Sequence, residues 1–158
     1  MTHFEDFKVG DVTELGSYTF SAEEIVRFAS AYDPQPFHLS DEGARASHFG
    51  RLCASGWHTA AIWMKLMVAF QKRHAARLIA EGLPLGRLGP SPGFDDMRWL
   101  KPVYAGDTIS YSARVTGLAE SRSRPEWGLM TMINEGVNQD GDVVFSFVGH
   151  VFVERRPA

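Results

Sequence analysis

The stretch ASGWHTAAIWMKLMVAF, residues 54–70, decides the fold. From residue 57 to residue 70 nearly every face of a helical wheel is apolar, with Lys65 as the one charge. A helix apolar all round has to be covered all round, so this segment predicts a central helix that the rest of the chain wraps. Ser55 is placed to cap it. Gly82 fits the position just past its end, with Lys72, Arg73 and Arg77 in the later turns and Pro84 beyond. About 25 residues at 1.5 Å each make a rod of roughly 37 Å.

On the C-terminal side a Gly/Pro-rich link, residues 86–93, ends the helical pattern and the period changes to two. Ile109, Tyr111, Ala113 and Val115 alternate with Ser110, Ser112 and Arg114, the pattern of a half-buried strand. Asp140-Gly141 reads as a hairpin turn between strands over 129–137 and 143–153. Further strands are expected at 97–100 and 12–20. On the N-terminal side, Ser21-Ala22-Glu23-Glu24 has the form of a capping box, flanked by Phe20 and Ile25 as a hydrophobic staple. Ile25, Phe28, Ala29 and Tyr32 then mark one face of a helix that must stop near Asp33, because Pro34 follows. A shorter helix is expected after Ser40, with Asp41 and Glu42 in its first turn. One strand, then helices, then consecutive strands gives an α+β fold: an antiparallel sheet with one long helix packed on it.

The 158 residues suit a single domain spanning the chain. An apolar share of 44% supplies a core, and a formal charge of −3 gives no drive toward nucleic acid. The apolar stretch is too short, and too closely followed by Gln71-Lys72-Arg73-His74, for a membrane span. The acidic opening residues do not resemble a signal peptide. Cys53 is the only cysteine, which suits a reducing compartment, so a cytoplasmic location is expected. Cys53 reads more simply as a small core residue than as a nucleophile. The six histidines show no metal-ligand spacing, and no metal is expected.

Asp33-Pro34-Gln35-Pro36-Phe37-His38 is the stretch richest in chemistry. Its prolines predict a non-helical segment, in which a carboxylate and an imidazole five residues apart can converge to share proton handling. The alternative is a helix-end Asp and a turn His with local hydrogen bonds only. Ser55-Gly56 opens the long helix, where unpaired N–H groups and the positive dipole end suit a carbonyl gaining charge. Ser55 alternatively serves only as the cap, and Gly56 only as a packing residue. Lys72, Arg73, His74 and Arg77 complement the helix end, or alternatively meet the phosphate groups of a ligand. Arg122, Arg124, Arg155 and Arg156 read as solvated surface, and Met64, Met67 and Phe70 as core.

Taken together, Asp-x-x-x-x-His after a capped helix, a short acidic helix, and Ser-Gly opening a long apolar helix resemble the MaoC-like dehydratases, relatives of the (R)-specific enoyl-CoA hydratases. Residues 98–103 (RWLKPV) with Gly106-Asp107, and the opening Phe4-Glu5-Asp6-Phe7 with Val9-Gly10-Asp11, extend the resemblance over most of the chain. It implies a hotdog fold, an antiparallel sheet wrapped around the long helix, assembled as a homodimer or higher homo-oligomer. It implies reversible addition of water to a trans-2-enoyl-CoA, with Asp33 and His38 as the acid–base pair and the Gly56 N–H as the oxyanion donor. Coenzyme A enters as part of the substrate, and no other cofactor is implied. Two positions depart from the family pattern: Gln35 stands where Asn is usual, and Ser55 where His is usual. Gln35, Phe37, Ser55 and Trp57 are the candidate substrate-binding residues. For Trp57, as for Trp63, the core is the favoured alternative. A thioesterase on the same fold and a non-catalytic acyl-CoA-binding protein are the other two functions these residues allow.

Overall fold

A computed structural model describes residues 3–157. A 3-10 turn at Phe4–Asp6 leads into β1 (Val12–Thr19), and three helices follow: α1 (Ala22–Tyr32), α2 (Pro36–Leu39) and α3 (Asp41–Arg45). The long helix α4 (Gly56–Ala80) precedes β2 (Gly93–Trp99), β3 (Thr108–Glu120), β4 (Trp127–Val137) and β5 (Val143–Glu154). The five strands form one antiparallel sheet in the order β1-β3-β4-β5-β2. The long helix lies on one face of that sheet, which is the α+β, hotdog arrangement expected from the sequence. Leu15, Phe20, Ile25, Ile62, Met67, Ile109, Tyr111 and Phe145 form the main core between them. Among the described residues no helix is long and apolar enough to cross a membrane.

The local signals explain most element ends. Ser21 Oγ accepts the Glu24 N–H, and Phe20 and Ile25 on either side of the cap are both fully buried. The box is not reciprocal, however. The Glu24 carboxylate accepts from the Ser21 hydroxyl and from the Tyr18 hydroxyl at 2.7 Å, not from the Ser21 amide. Gly82 takes a left-handed φ of 65° just after α4, a conformation that costs glycine nothing. β3 runs five residues past Val115 because a register shift at Val115/Gly117 re-aims the strand and lets pairing with β4 resume.

Four expectations fail for physical reasons. The segment between Asp33 and His38 is not free of helix: α2 is a single turn with Pro36 in its first turn. Proline is tolerated there because its missing N–H would have had no partner anyway. Tyr32, the last residue of α1, is 75% exposed, since the helix has run off the core by that point. The long helix is not covered all round. The face carrying His58, Thr59, Ile62, Met67 and Leu78 is buried, at His58 against Phe28 of α1, whereas Trp57 (56% exposed), Ala61, Met64 and Val68 stand open. Trp57 and Met64 are therefore not core residues. Arg155 and Arg156 do not stand free in solvent, because they pair with Glu5, Glu120 and Asp6 and tie the two ends of the chain together.

One buried polar side chain of α4 makes stability depend on pH. His58 is stacked on Phe28 with ring centroids 4.5 Å apart and meets Phe20 edge-on, and its Nδ1 has no partner. Burial pushes its pKa down to about 4, against a smaller opposing pull from Glu24; Arg27 and Lys65 add to the depression. An unfolded histidine titrates near 6.5. Between those values only the unfolded chain takes up the proton, so this contribution is intact above about pH 6.5 and lost as pH falls toward 4. A loss on the order of 2–3 kcal/mol is expected from urea midpoints measured at pH 7.5 and pH 4.5. The same measurement on His58→Phe should show a clearly smaller loss. An equal loss in that variant would remove His58 as the cause.

Candidate active site

The end of α1, the turn α2 and the start of α4 meet at one point. Asp33 is the residue at which α1 stops, and its N–H still donates to Ala29 O. Two side chains hold its carboxylate: Gln35 Nε2 donates to Oδ1 at 2.8 Å and Ser55 Oγ donates to Oδ2 at 2.7 Å; His38 Nε2 lies 3.4 Å from Oδ2. Partial burial works to raise the Asp33 pKa. The Ser55 hydroxyl, the Gln35 amide and the nearby His38 outweigh it, so the group sits below the usual carboxylate range.

His38, carried on α2, is buried. Its Nδ1 is 2.8 Å from the Cys53 carbonyl oxygen. A carbonyl only accepts, so Nδ1 carries the proton, and in the neutral ring Nε2 is left with a lone pair facing Asp33. Phe37 meets the imidazole edge-on at 4.5 Å and fixes its plane. Cys53 is buried beside the ring, its thiol 3.7 Å from Nδ1, and burial pushes its pKa up to about 11. That is the environment of an inert thiol rather than a nucleophile.

These groups border a cleft of about 670 Å³ whose wall includes Asp33, Gln35, Phe37, His38, Gly56 and Trp57. The segment anticipated as non-helical thus does bring its carboxylate and imidazole together, and sets them opposite the start of α4. Among the described residues no protein group accepts the Gly56 N–H. It is a first-turn donor at the positive end of a 25-residue helix. Trp57 leans over the mouth, edge-on to Trp99 at 5.1 Å. Ser55 differs from its expected place. It is almost fully buried and absent from the cleft wall, lying behind Asp33, where its oxygen also caps α4 by accepting the Trp57 N–H.

Several contributors carry no sequence signal of their own. The Cys53 carbonyl sets the histidine tautomer through its backbone. Trp99 closes over Gly56 from β2, and Lys101 and Tyr104 add polar groups to the wall. Lys101 is paired with Asp142. By contrast, Lys72, Arg73, His74 and Arg77 lie at the far end of α4, some 25–30 Å along the helix from Gly56. Among the described residues no three His, Cys, Asp or Glu side chains come together as a metal site. His48 lines the cleft, while His58 is held in the core.

A sheet folded against one long helix, with the helix N-terminus beside a carboxylate and an imidazole, defines a hotdog-fold protein whose cleft is lined by both groups. The chain belongs to the MaoC like domain family, whose model matches residues 7–132. An uncharacterized protein of Bacillus subtilis is 30% identical over 151 residues, covering 96% of this chain and 98% of its own. A 3-hydroxybutyryl-CoA dehydratase of Methylorubrum extorquens is 26% identical over 147 residues, 90% of this chain and 82% of that one. Among solved structures, a MaoC-like dehydratase from Rhodospirillum rubrum superposes with a TM-score of 0.81 at 37% identity, over 100% of both chains.

Proposed function

We propose that the protein adds water reversibly to a trans-2-enoyl thioester of coenzyme A, giving the 3-hydroxyacyl-CoA. The observation that carries this is the approach of His38 Nε2 to the Asp33 carboxylate at 3.4 Å, with the other ring nitrogen held by the Cys53 carbonyl. In the neutral ring Nε2 accepts, and a water set to one side of the pair can donate one O–H to it and the other to Asp33. Its oxygen attacks the β-carbon while His38 Nε2 takes one of its protons. Asp33, held as a carboxylate by Ser55 and Gln35, orients the water and stabilises the imidazolium. The electrons of the double bond move into the thioester carbonyl, whose oxygen is met by the Gly56 N–H. The proton on His38 then passes to the α-carbon, so one H and one OH have been added and no redox step is required. Coenzyme A is part of the substrate, and the scheme uses no metal.

The test is loss of the conjugated thioester absorbance when purified protein meets a panel of trans-2-enoyl-CoAs. Release of free thiol instead would favour a thioesterase, and binding without turnover a non-catalytic role.

Ser55→Ala separates positioning from chemistry. It removes a charge-assisted donor from Asp33, so the carboxyl pKa rises toward its ordinary value. A less firmly held carboxylate orients the water less well, so kcat at neutral pH should fall while KM stays nearly unchanged. The lost cap should cost about 1 kcal/mol of stability. An unchanged kcat would mean that Ser55 does not position Asp33.

The homodimer belongs to the same proposal. β2 is an edge strand; Phe94 and Trp99 on it and Leu100 just after it are 55%, 45% and 51% exposed, beside the open stripe of α4. Unpaired edges with apolar neighbours invite a second copy. Light scattering should give twice the chain mass at micromolar concentration, and a monomer there would overturn the dimer.

A further inference from the structure

The first turn of α4 is held by two hydroxyl groups that the proposed reaction does not use. Tyr111, in the middle of β3, is fully buried, and its hydroxyl donates to Thr59 O at 3.1 Å. Thr59 is itself buried, three residues after Gly56, and its hydroxyl donates to Gly56 O at 2.6 Å. The Thr59 N–H donates to Ser55 O at 3.2 Å, and the same oxygen accepts the His58 N–H at 2.9 Å. A run of hydrogen bonds thus joins the centre of the sheet to both peptide units that flank Gly56.

The sheet makes room for this strut. The cross-strand neighbours of Tyr111 are both glycines, Gly16 on β1 and Gly136 on β4. A Cβ at residue 136 would stand 3.0 Å from Tyr111 Cε1, so a side chain there would crowd the ring. Packing accounts for an aromatic ring in this slot, but not for its hydroxyl. A buried hydroxyl costs free energy unless it is paired, and Thr59 O supplies the pairing. A carbonyl inside a helix already accepts the N–H four residues on, so Thr59 O needs no second donor for its own sake. What the bond adds is a fixed position of the helix start over the sheet.

Gly56 is where such holding matters. Without a Cβ its backbone is the freest in the turn. Its N–H and Ser55 O are opposite ends of one planar peptide, so the bonds on Ser55 O fix the direction of that N–H. Gly56 O and the Trp57 N–H are the ends of the next peptide. That N–H reaches Ser55 Oγ, which in turn donates to Asp33. Thr59 therefore steadies the oxyanion donor through one peptide and the support of the carboxylate through the other.

We infer that Tyr111 and Thr59 are positioning residues for the reaction, a strut from the sheet that aims the Gly56 N–H at the thioester oxygen. This deepens the hydratase reading and rests on it. Both act through Gly56. The N–H is worth most once the oxygen has become enolate-like, so loosening it lowers kcat and leaves KM nearly unchanged.

The experiment is steady-state kinetics on an enoyl-CoA that the wild type turns over, with melting temperatures measured alongside. Tyr111→Phe and Thr59→Val keep the side-chain shape and remove the hydroxyl. Each should lower kcat by about tenfold, since a small misplacement of a reacting group is enough for such a loss. Thr59→Ser keeps the hydroxyl and should return most of the rate. Tyr18→Phe is the control: it removes a hydroxyl of the same sheet that donates to Glu24 at 2.7 Å, and it should lower the melting temperature without lowering kcat. The carbonyl stretch of bound butyryl-CoA reads the same alignment without turnover. It should lie at lower frequency on the wild type than in solution, and that shift should shrink in Tyr111→Phe and Thr59→Val. Wild-type kcat in either variant, a matching rise in KM, no recovery in Thr59→Ser, an equal loss in Tyr18→Phe, or an unchanged carbonyl shift would each overturn the strut while leaving the hydratase reading intact. If the wild type turns over no enoyl-CoA, the hydratase reading falls and the carbonyl stretch decides the strut alone. A shift that both variants lose upholds it; no shift, or one that they keep, overturns it.

Discussion

Asp33→Asn should lower kcat on enoyl-CoA by about 10²–10⁴-fold while the protein stays folded, the range that a positioned acid–base group supplies. Asparagine preserves the shape and can still accept from Ser55 or Gln35, so the end of α1 has no reason to unravel. What it removes is the negative charge 3.4 Å from His38 Nε2. Without it the imidazolium that forms when water gives up its proton has no counter-charge, and the water loses one of its two acceptors. The matching change at His38 needs more care. His38 is buried between Phe37 and the Cys53 carbonyl, so His38→Ala opens a cavity as well as removing a base. His38→Gln retains a donor for the Cys53 carbonyl and much of the volume, and it should lose turnover to a similar degree with little change in melting temperature. Because the two groups act on one water, the double variant should be scarcely worse than either single one. Near-normal rates in both single variants, with folding confirmed by circular dichroism, would end the Asp33/His38 mechanism.

How far the sequence reached depends on the range of each interaction. The long helix, the capped start of α1 and the alternation around Ile109 to Val115 are written in neighbouring residues, and each appears where it was expected. The convergence of Asp33 and His38 also follows from a short segment pinned by two prolines. What escaped was set from a distance. Apolarity alone does not say which side of α4 the sheet will cover, so Trp57 and Met64 read as core although the sheet leaves them open. The Ser55–Asp33 hydrogen bond joins residues 22 apart, and Trp99 meets Gly56 from a strand laid down after the whole length of α4.

Gly56→Ala should be the most damaging single methyl group in the protein's chemistry. In an ordinary helix the change would be favourable by about 1 kcal/mol, since alanine is the better helix former. Here a Cβ at residue 56 would stand 2.5 Å from Trp99 Cε2 and 2.6 Å from its Nε1, well inside contact distance. The indole cannot move freely. Trp99 is paired with Phe145 at the end of β2, and its ring is packed edge-on against Trp57. Either the ring swings into the cleft or the first turn of α4 backs away from the strand. The first obstructs the thioester, and the second turns the unpartnered N–H away from where the carbonyl oxygen must lie. Loss of one oxyanion donor reduces turnover by about 10²–10³-fold, and overpacking of this kind costs about 1–3 kcal/mol. Trp99→Leu separates the two effects. Added to Gly56→Ala, it removes the atoms the methyl group strikes, so the double variant should regain the lost stability and much of the lost rate, because alanine keeps the N–H that the reaction uses. Stability recovered without rate would show that the glycine is needed for substrate approach rather than for fit against Trp99. Full activity in Gly56→Ala alone would mean that the start of α4 is not where the thioester oxygen is held.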